Sequence, residues 1–490
     1  MLIRREVRRF APAVSEKVCI YFPYVQLSRP MISPRAIFQP RRSLPATVLR
    51  LLALSLLFSF SPATFAQDVF VAVADTVEPA ALIAPEQSID LSAEVNPPLP
   101  VATADSPSDA VHNVDSGIPR RFHYTLGLTV RSVYDDNINL SHDNPISDYY
   151  TTIEPAVMIG FGDTDARTEN YIRLDYLPAV FLFADHSENN SIQHVARVEG
   201  QYRINRLTLN LTQMVQIMDG VDVQTQSAGV AGGLDQQVNL DVAGRTRFNI
   251  YTTHLNAAYY VTGKTFLSSG ADFTATHYSQ LISSEVFSGN FFLNYNYSPK
   301  MVVGLGGTGG FDRVDAPNPN QTFEQVNVRF SYQLTGKIDL AASGGVEFRQ
   351  FDGDMRSQYV SPVFEVGINY LPFDGTKISI TANRRTLNSA VLSSQDYAVT
   401  NFTVGVQQRM FQRFYLGVNS GYENSDYFST VATTGTTRND DYFFVQPSIA
   451  VRVTRFWTVG AYYLHRANNS SLDAFSFHDN QVGLRTILTF

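Results

Sequence analysis

Residues 121–131 read RFHYTLGLTVR, with apolar side chains at Phe122, Tyr124, Leu126, Leu128 and Val130 and with His123, Thr125, Gly127, Thr129 and Arg131 between them. A period of two puts these sets on opposite faces of an extended chain, giving a strand with one apolar and one wet face. The alternation returns at Ile172, Leu174, Tyr176 and Val180 around Arg173 and Asp175. It returns again at Val326, Val328, Phe330 and Tyr332 around Asn327 and Arg329, and at Phe364, Val366, Ile368 and Tyr370 around Glu365 and Asn369. About 18 such segments succeed one another, each near the ~10 residues that a tilted strand needs to cross a bilayer. The expected fold is all-β: a transmembrane antiparallel β-barrel of about 18 strands over residues 121–490.

Composition agrees. Aromatic residues make up 12% of the chain and charged residues only 17%. Asn, Gln, Ser, Thr and Tyr supply the remaining polarity, which suits strands with one lipid face and one wet face better than a dry globular core. Cys19 is the one cysteine, which excludes a disulfide framework and a thiolate metal site.

Three segments are expected. In residues 41–67, RRSLPATVLRLLALSLLFSFSPATFAQ, arginines precede an apolar run from Leu51 to Phe60 and then small residues ending at Ala66. That run is about half the roughly 20 residues of a membrane-spanning helix, so residues 1–66 read as a secretory signal region cut before Gln67, with Met31 as the true translational start. Residues 67–120 are acidic and rich in Pro and Ala, and cannot bury enough apolar surface to fold alone. They read as a disordered periplasmic arm, with docking to a periplasmic partner as the functional alternative.

The connections alternate in length. Short turns lie at Thr262–Lys264, Ser298–Lys300, Thr335–Lys337, Asp374–Lys377 and Thr454–Phe456, and long polar loops such as residues 134–148 and 312–322 lie between them. Short periplasmic turns and long external loops are the pattern of outer-membrane barrels. Aromatic residues collect beside the short turns, at Tyr259, Tyr260, Tyr295, Tyr297, Tyr332, Tyr370, Phe373, Phe414, Tyr415, Phe456 and Trp457. Amphipathic rings prefer the headgroup level, so these are expected to form a periplasmic girdle. The longest connection, roughly residues 218–245, contains Gly229, Gly232 and Gly233. It is expected to remain an external loop, with inward folding to narrow a pore as the alternative.

The last strand ends in VGLRTILTF, with Val482, Leu484, Leu488 and Phe490 at even positions and Ile487 breaking the alternation. Barrel closure requires this strand to pair with the one at Phe122. The ending resembles the C-terminal signal that the barrel assembly machinery of Gram-negative outer membranes recognises. The stretch SVYDDNINLS (132–141), together with the turns Val261–Lys264 and Leu334–Lys337, resembles the putative β-barrel porin 2 family, and the resemblance extends loosely over residues 121–490. It implies an outer-membrane barrel with a link to exopolysaccharide synthesis or export, and it brings no catalytic residues.

Alternation assigns the charged side chains to the lumen: Arg173, Asp175, Arg197, Glu199, Arg329, Asp339, Glu347, Arg349, Glu365, Arg385, Arg452 and Arg485. Such groups are tolerated inside a barrel where the lumen is wet or where they pair across it. The two readings are a channel for the passive diffusion of polar solutes or glycans, and a closed, ion-paired interior in a barrel that serves polysaccharide export. Both signs of charge are present, so ion selectivity does not follow.

Residues 122–490 carry 25 basic and 34 acidic side chains, which makes nucleic acid a poor partner. The expected partners are outer-membrane lipid and lipopolysaccharide, the assembly machinery, and polysaccharide export components. Asp135, Asp136, Asp143, Asp148, Asp352, Asp354, Asp440 and Asp441 read as solvated loop charge without calcium-loop spacing. No nucleophile elbow, zinc motif, phosphate loop or dinucleotide fingerprint occurs, so neither cofactor nor metal is expected. The remaining enzymatic reading, a hydrolase at the rim, would use His186, His194, His465 or His478.

Overall fold

The computed structural model describes residues 122–162, 164, 170–221, 238–242, 244–352, 358–431 and 437–490. The signal region, Met31, the acidic arm, Gly229, Gly232, Gly233 and Asp354 lie outside the described residues.

Eighteen strands follow one another. They are β1 (Phe122–Asp135), β2 (Asp148–Gly162), β3 (Tyr171–Phe183), β4 (Ser191–Ile204), β5 (Leu207–Gly220) and β6 (Thr246–Tyr260). Next come β7 (Thr265–Tyr278), β8 (Ser284–Ser298), β9 (Met301–Val314), β10 (Gln321–Gln333), β11 (Ile338–Phe351) and β12 (Tyr359–Tyr370). The last six are β13 (Thr376–Asn388), β14 (Gln395–Met410), β15 (Phe414–Ser429), β16 (Asn439–Arg452), β17 (Trp457–Ser470) and β18 (Phe477–Thr489). Each pairs antiparallel with its chain neighbours, and β1 also pairs with β18, so the sheet closes on itself. The closing register runs from Gly127↔Thr489 to Asp135↔Gln481. Beyond it, Leu126 and Phe490 exchange both backbone hydrogen bonds, at 3.0 and 2.7 Å.

The apolar face of each strand points outward and stays exposed: Ile172 and Leu174, Val326 and Val328, and Val482 and Leu484 all keep between 42 and 62% of their surface. A band of such side chains around the whole barrel would be an aggregation surface in water and is satisfied by lipid. The turn ends carry exposed rings at Tyr259, Tyr295, Tyr297, Phe373, Phe414 and Trp457. Tyr415 corrects the expected girdle. It neighbours Phe414 in one strand, so it faces the other way, and it is 4% exposed inside the barrel. Tyr260 is half-buried on the inward face for the same reason.

Glycine is required where strands crowd. A Cβ on Gly345 would lie 2.0 Å from the Val326 carbonyl oxygen, which is backbone and cannot rotate away. Gly345→Ala is expected to cost about 1–3 kcal/mol, the usual penalty for overpacking. Urea unfolding of the detergent-refolded barrel measures it, and an unchanged midpoint would show that the β10–β11 wall relaxes freely.

Candidate functional site: an obstructed lumen

The inward face is not uniformly wet. At the long-loop end, Val133, Phe181, Phe183, Phe444, Leu464 and Phe477 converge from five strands. They pack against Ile138 and Leu140 of the β1–β2 connection and against Val221, Val238 and Leu240 of the β5–β6 connection. These described residues of both connections therefore lie inside the barrel. Burying each large apolar side chain yields about 1.5–3 kcal/mol, enough to offset the entropy of ordering these residues.

The expectation that the β5–β6 connection stays external is overturned for residues 238–242. Asp241 accepts hydrogen bonds from Ser389 Oγ (2.7 Å), the Ala390 backbone N (2.5 Å) and the Tyr427 hydroxyl (3.0 Å). Arg438, fully buried, donates to the carbonyls of Leu240 (2.6 Å) and Asp241 (3.1 Å) and forms an ion pair with Asp440. Its guanidinium lies 3.5 Å from the Phe475 ring centroid and 4.6 Å from that of Tyr427. Asn239 Nδ2 donates to the Tyr278 hydroxyl on another wall at 2.8 Å. Burial pushes the Asp241 carboxyl above its ordinary range despite three donors and the nearby Arg438.

A second obstruction comes from the wall itself. The β12–β13 ladder ends at Phe364↔Arg384, whereas β11 holds β12 as far as Tyr359 and β14 holds β13 as far as Asn388. Above that point the β13–β14 hairpin leaves the cylinder. Tyr359 of β12 stacks on Phe428 of β15 at 3.9 Å, although two strands separate them in sheet order. Asp396, which by alternation with Phe402 and Val406 would face lipid, is fully buried beside Arg349 and accepts from Gln321 Nε2 at 3.1 Å. The hairpin tip reaches across the mouth: Ile282 N donates to the Ala390 carbonyl at 3.0 Å, and Asn318 Nδ2 to that of Ser389 at 3.3 Å.

The twelve charged residues assigned by alternation all stand at inward register positions. Several pair two residues apart on one strand, because i and i+2 are neighbours on one face. Arg173 and Asp175 do so at 3.0 Å, Arg197 and Glu199 at 2.8 Å, and Arg349 and Glu347 at 2.9 Å. Arg329 donates to Asn294 Oδ1 and Ser268 Oγ, both at 2.6 Å, and covers the Phe292 ring. Arg452 lies over Tyr415. Glu365 faces Asn383 in register, and Arg385 lines the cavity described below. Arg485 stands opposite Arg131 across the closing seam, where Arg131 pairs with Glu154 at 2.5 Å. Asp339 is exposed at the short-turn mouth. Of the four C-terminal positions, Val482, Leu484 and Phe490 are exposed and Leu488 is half-buried.

Three aspartates assigned to solvated loops are instead buried at strand ends. Asp440 pairs with Arg438, Asp135 accepts from Asn137 N and Gln481 Nε2, and Asp148 holds His186 at 3.0 Å. The hydrogen bonds and ion pairs these partners make outweigh the polar context of the neighbouring loop. His194 stacks on Tyr176 and bonds its hydroxyl at 2.9 Å, and His465 meets Asn480 at 2.9 Å. Alternation alone would also have found Asp272, which pairs with His254 at 2.7 Å. Asp241 and Arg438 carry no periodic signal.

Below the two obstructions lies a cavity of about 180 Å³. Its lining includes Asp272, Asp312, Glu347, Glu423, Arg349 and Arg385, with hydroxyls and amides at Thr274, Ser288, Asn388 and Asn401. Arg438→Gln is expected to leave Asp440 buried without a counter-charge and to lower stability by about 3–5 kcal/mol. Urea unfolding would show this, and a loss below 1 kcal/mol would mean that water reaches Asp440.

No curated protein matches the sequence. Among solved structures, the chain is similar to OpdK of Pseudomonas aeruginosa with vanillate at 10% identity, covering 75% of this chain and 99% of that one, with a TM-score of 0.40. It is similar to OprD of Pseudomonas aeruginosa (10%, 75% and 95%, TM-score 0.37) and to OccAB3 of Acinetobacter baumannii (9%, 75% and 99%, TM-score 0.40). A family match comes from the C-terminal portion, which contains the Leu334–Lys337 turn but not the Tyr134–Ile138 stretch. With its closed wall and apolar belt the protein is a porin-like β-barrel of the outer membrane, and its residues 310–490, from the end of β9 through β18, match the putative beta-barrel porin 2 family.

Proposed function

We propose that the protein is a constricted, gated channel for small polar solutes. The observation that carries this reading is the Asp241 hub, which staples the β5–β6 connection to Ser389, Ala390 and Tyr427 and divides the lumen above a polar cavity. The hydroxyls and amides lining that cavity can replace the hydration of a polyhydroxylated solute, a glycan unit included. No bond-making step is needed for this role, and a channel is preferred to an enzyme on that ground. The same staples suit a second reading, in which the barrel stays shut until a component of an exopolysaccharide export system opens it.

Single-channel recording of the refolded full-length mature chain in a planar bilayer tests both. Small steps that grow with salt concentration are expected, and Asp241→Ala is expected to raise mean conductance severalfold by releasing the connection. A folded barrel that stays silent, in wild type and variant alike, would overturn the channel reading and favour the partner-opened one.

The hub also sets a pH dependence. Docking lifts the Asp241 carboxyl above its free value, so docking takes up a proton. The stabilisation it brings is full below the free carboxyl's range and is lost as pH rises through the docked value. Wild-type current is expected to fall on acidification, and Asp241→Asn to flatten the profile. An unchanged profile in that variant would show that another group senses the pH.

A further inference from the structure

We propose that the lumen cavity is a binding site for a small organic cation, with the carboxylate of Asp312 as its counter-ion. Asp312 sits on β9, 3% exposed, and lines the cavity. Its Oδ1 has no hydrogen-bond partner, an expensive condition for a buried carboxylate and one that points to a missing ligand.

The nearest cation does not relieve it. Arg349 spends Nε on Glu347 (2.9 Å), Nη1 on Gln321 (2.8 Å) with Asp396 at 3.8 Å, and Nη2 on the Thr386 carbonyl (3.3 Å). One guanidinium thus stands among three carboxylates, Glu347, Asp396 and Asp312, and the cluster lacks positive charge. A second orphan faces the same space: Thr386 Oγ1 is buried, lines the cavity and has no partner.

The chemistry favours an organic ammonium over a bare metal ion. Among the described residues, the one group of acidic ligands close enough to hold a metal is Asp135, Asp136 and Asp479 at the outer rim, and Asp312 is not in it. The ring of Phe323 packs against Gly310, one inward position from Asp312, where a Cβ would lie 2.6 Å from Cζ, and the Arg349 guanidinium stands 5.2 Å from its centroid, so the ring is an apolar wall beside the carboxylate that suits the carbon chain of an amine. A volume of about 180 Å³ leaves room for a compact aliphatic amine.

This inference rests on the lumen being a path for solutes, and two readouts keep the two ideas apart. Putrescine is titrated into the detergent-refolded full-length mature chain by calorimetry and added to the bilayer, with 1,4-butanediol as the uncharged isostere. Putrescine is expected to bind and to interrupt potassium current. Asp312→Asn, near-isosteric, should weaken both effects by at least about tenfold, and Thr386→Val by less, with the unfolding midpoint preserved. Asp312-dependent binding in a silent barrel would support the site while overturning the channel. A conducting barrel that ignores putrescine, binds butanediol equally well, or is indifferent to Asp312→Asn would overturn the site and leave the channel standing.

Discussion

A backbone amide inside a bilayer has no water to bond, so every N–H and C=O must find a partner within the chain. The exchange of hydrogen bonds between Leu126 and Phe490, and the ladder from Gly127↔Thr489 upward, meets that requirement at the one place where chain neighbours cannot. Closure removes the sheet edges, and it divides each strand's side chains between lipid and lumen. The inward positions of Arg131, Arg173 and Glu199 follow from that division, as does the exposed belt of Val326 and Leu484.

The outer half of the lumen obeys a different logic. Side chains that close-pack there, such as Phe181, Phe444 and Phe477, need a partner surface that the opposite wall is too far away to supply. The β1–β2 and β5–β6 connections provide it. Once an inserted connection brings backbone carbonyls away from water, donors must meet them, and Arg438 does so for Leu240 and Asp241. The β13–β14 hairpin follows the same rule, with Arg349 meeting the Thr386 carbonyl.

The wall was legible in the sequence because period two is a local signal: RFHYTLGLTVR alone states which face of β1 is greasy. The turns were legible because Gly336 and Gly375 adopt positive φ, at 70° and 78°, where glycine is favoured. The obstruction was not. Asp241 finds Ser389 and Arg438 across sequence separations of 148 and 197 residues, and no pattern near any of the three announces the others. The rule also misled where strands end or leave the cylinder. Asp440 looked like loop charge beside Asp441, and the inward-bent hairpin places the nominally lipid-facing Asp396 against Arg349.

The ion pairs formed within single strands have an evolutionary consequence. Arg173 with Asp175 and Arg197 with Glu199 each neutralise themselves without help from a neighbouring strand. A hairpin built this way can be duplicated or deleted without stranding a charge in the lumen, so barrels can change circumference by whole hairpins while the electrostatics of the remaining wall stay intact. The pairs that involve Arg438 and Asp396 have no such freedom. They bind particular strands to particular loops, and they mark where this barrel has ceased to be a repeat and become a specific machine.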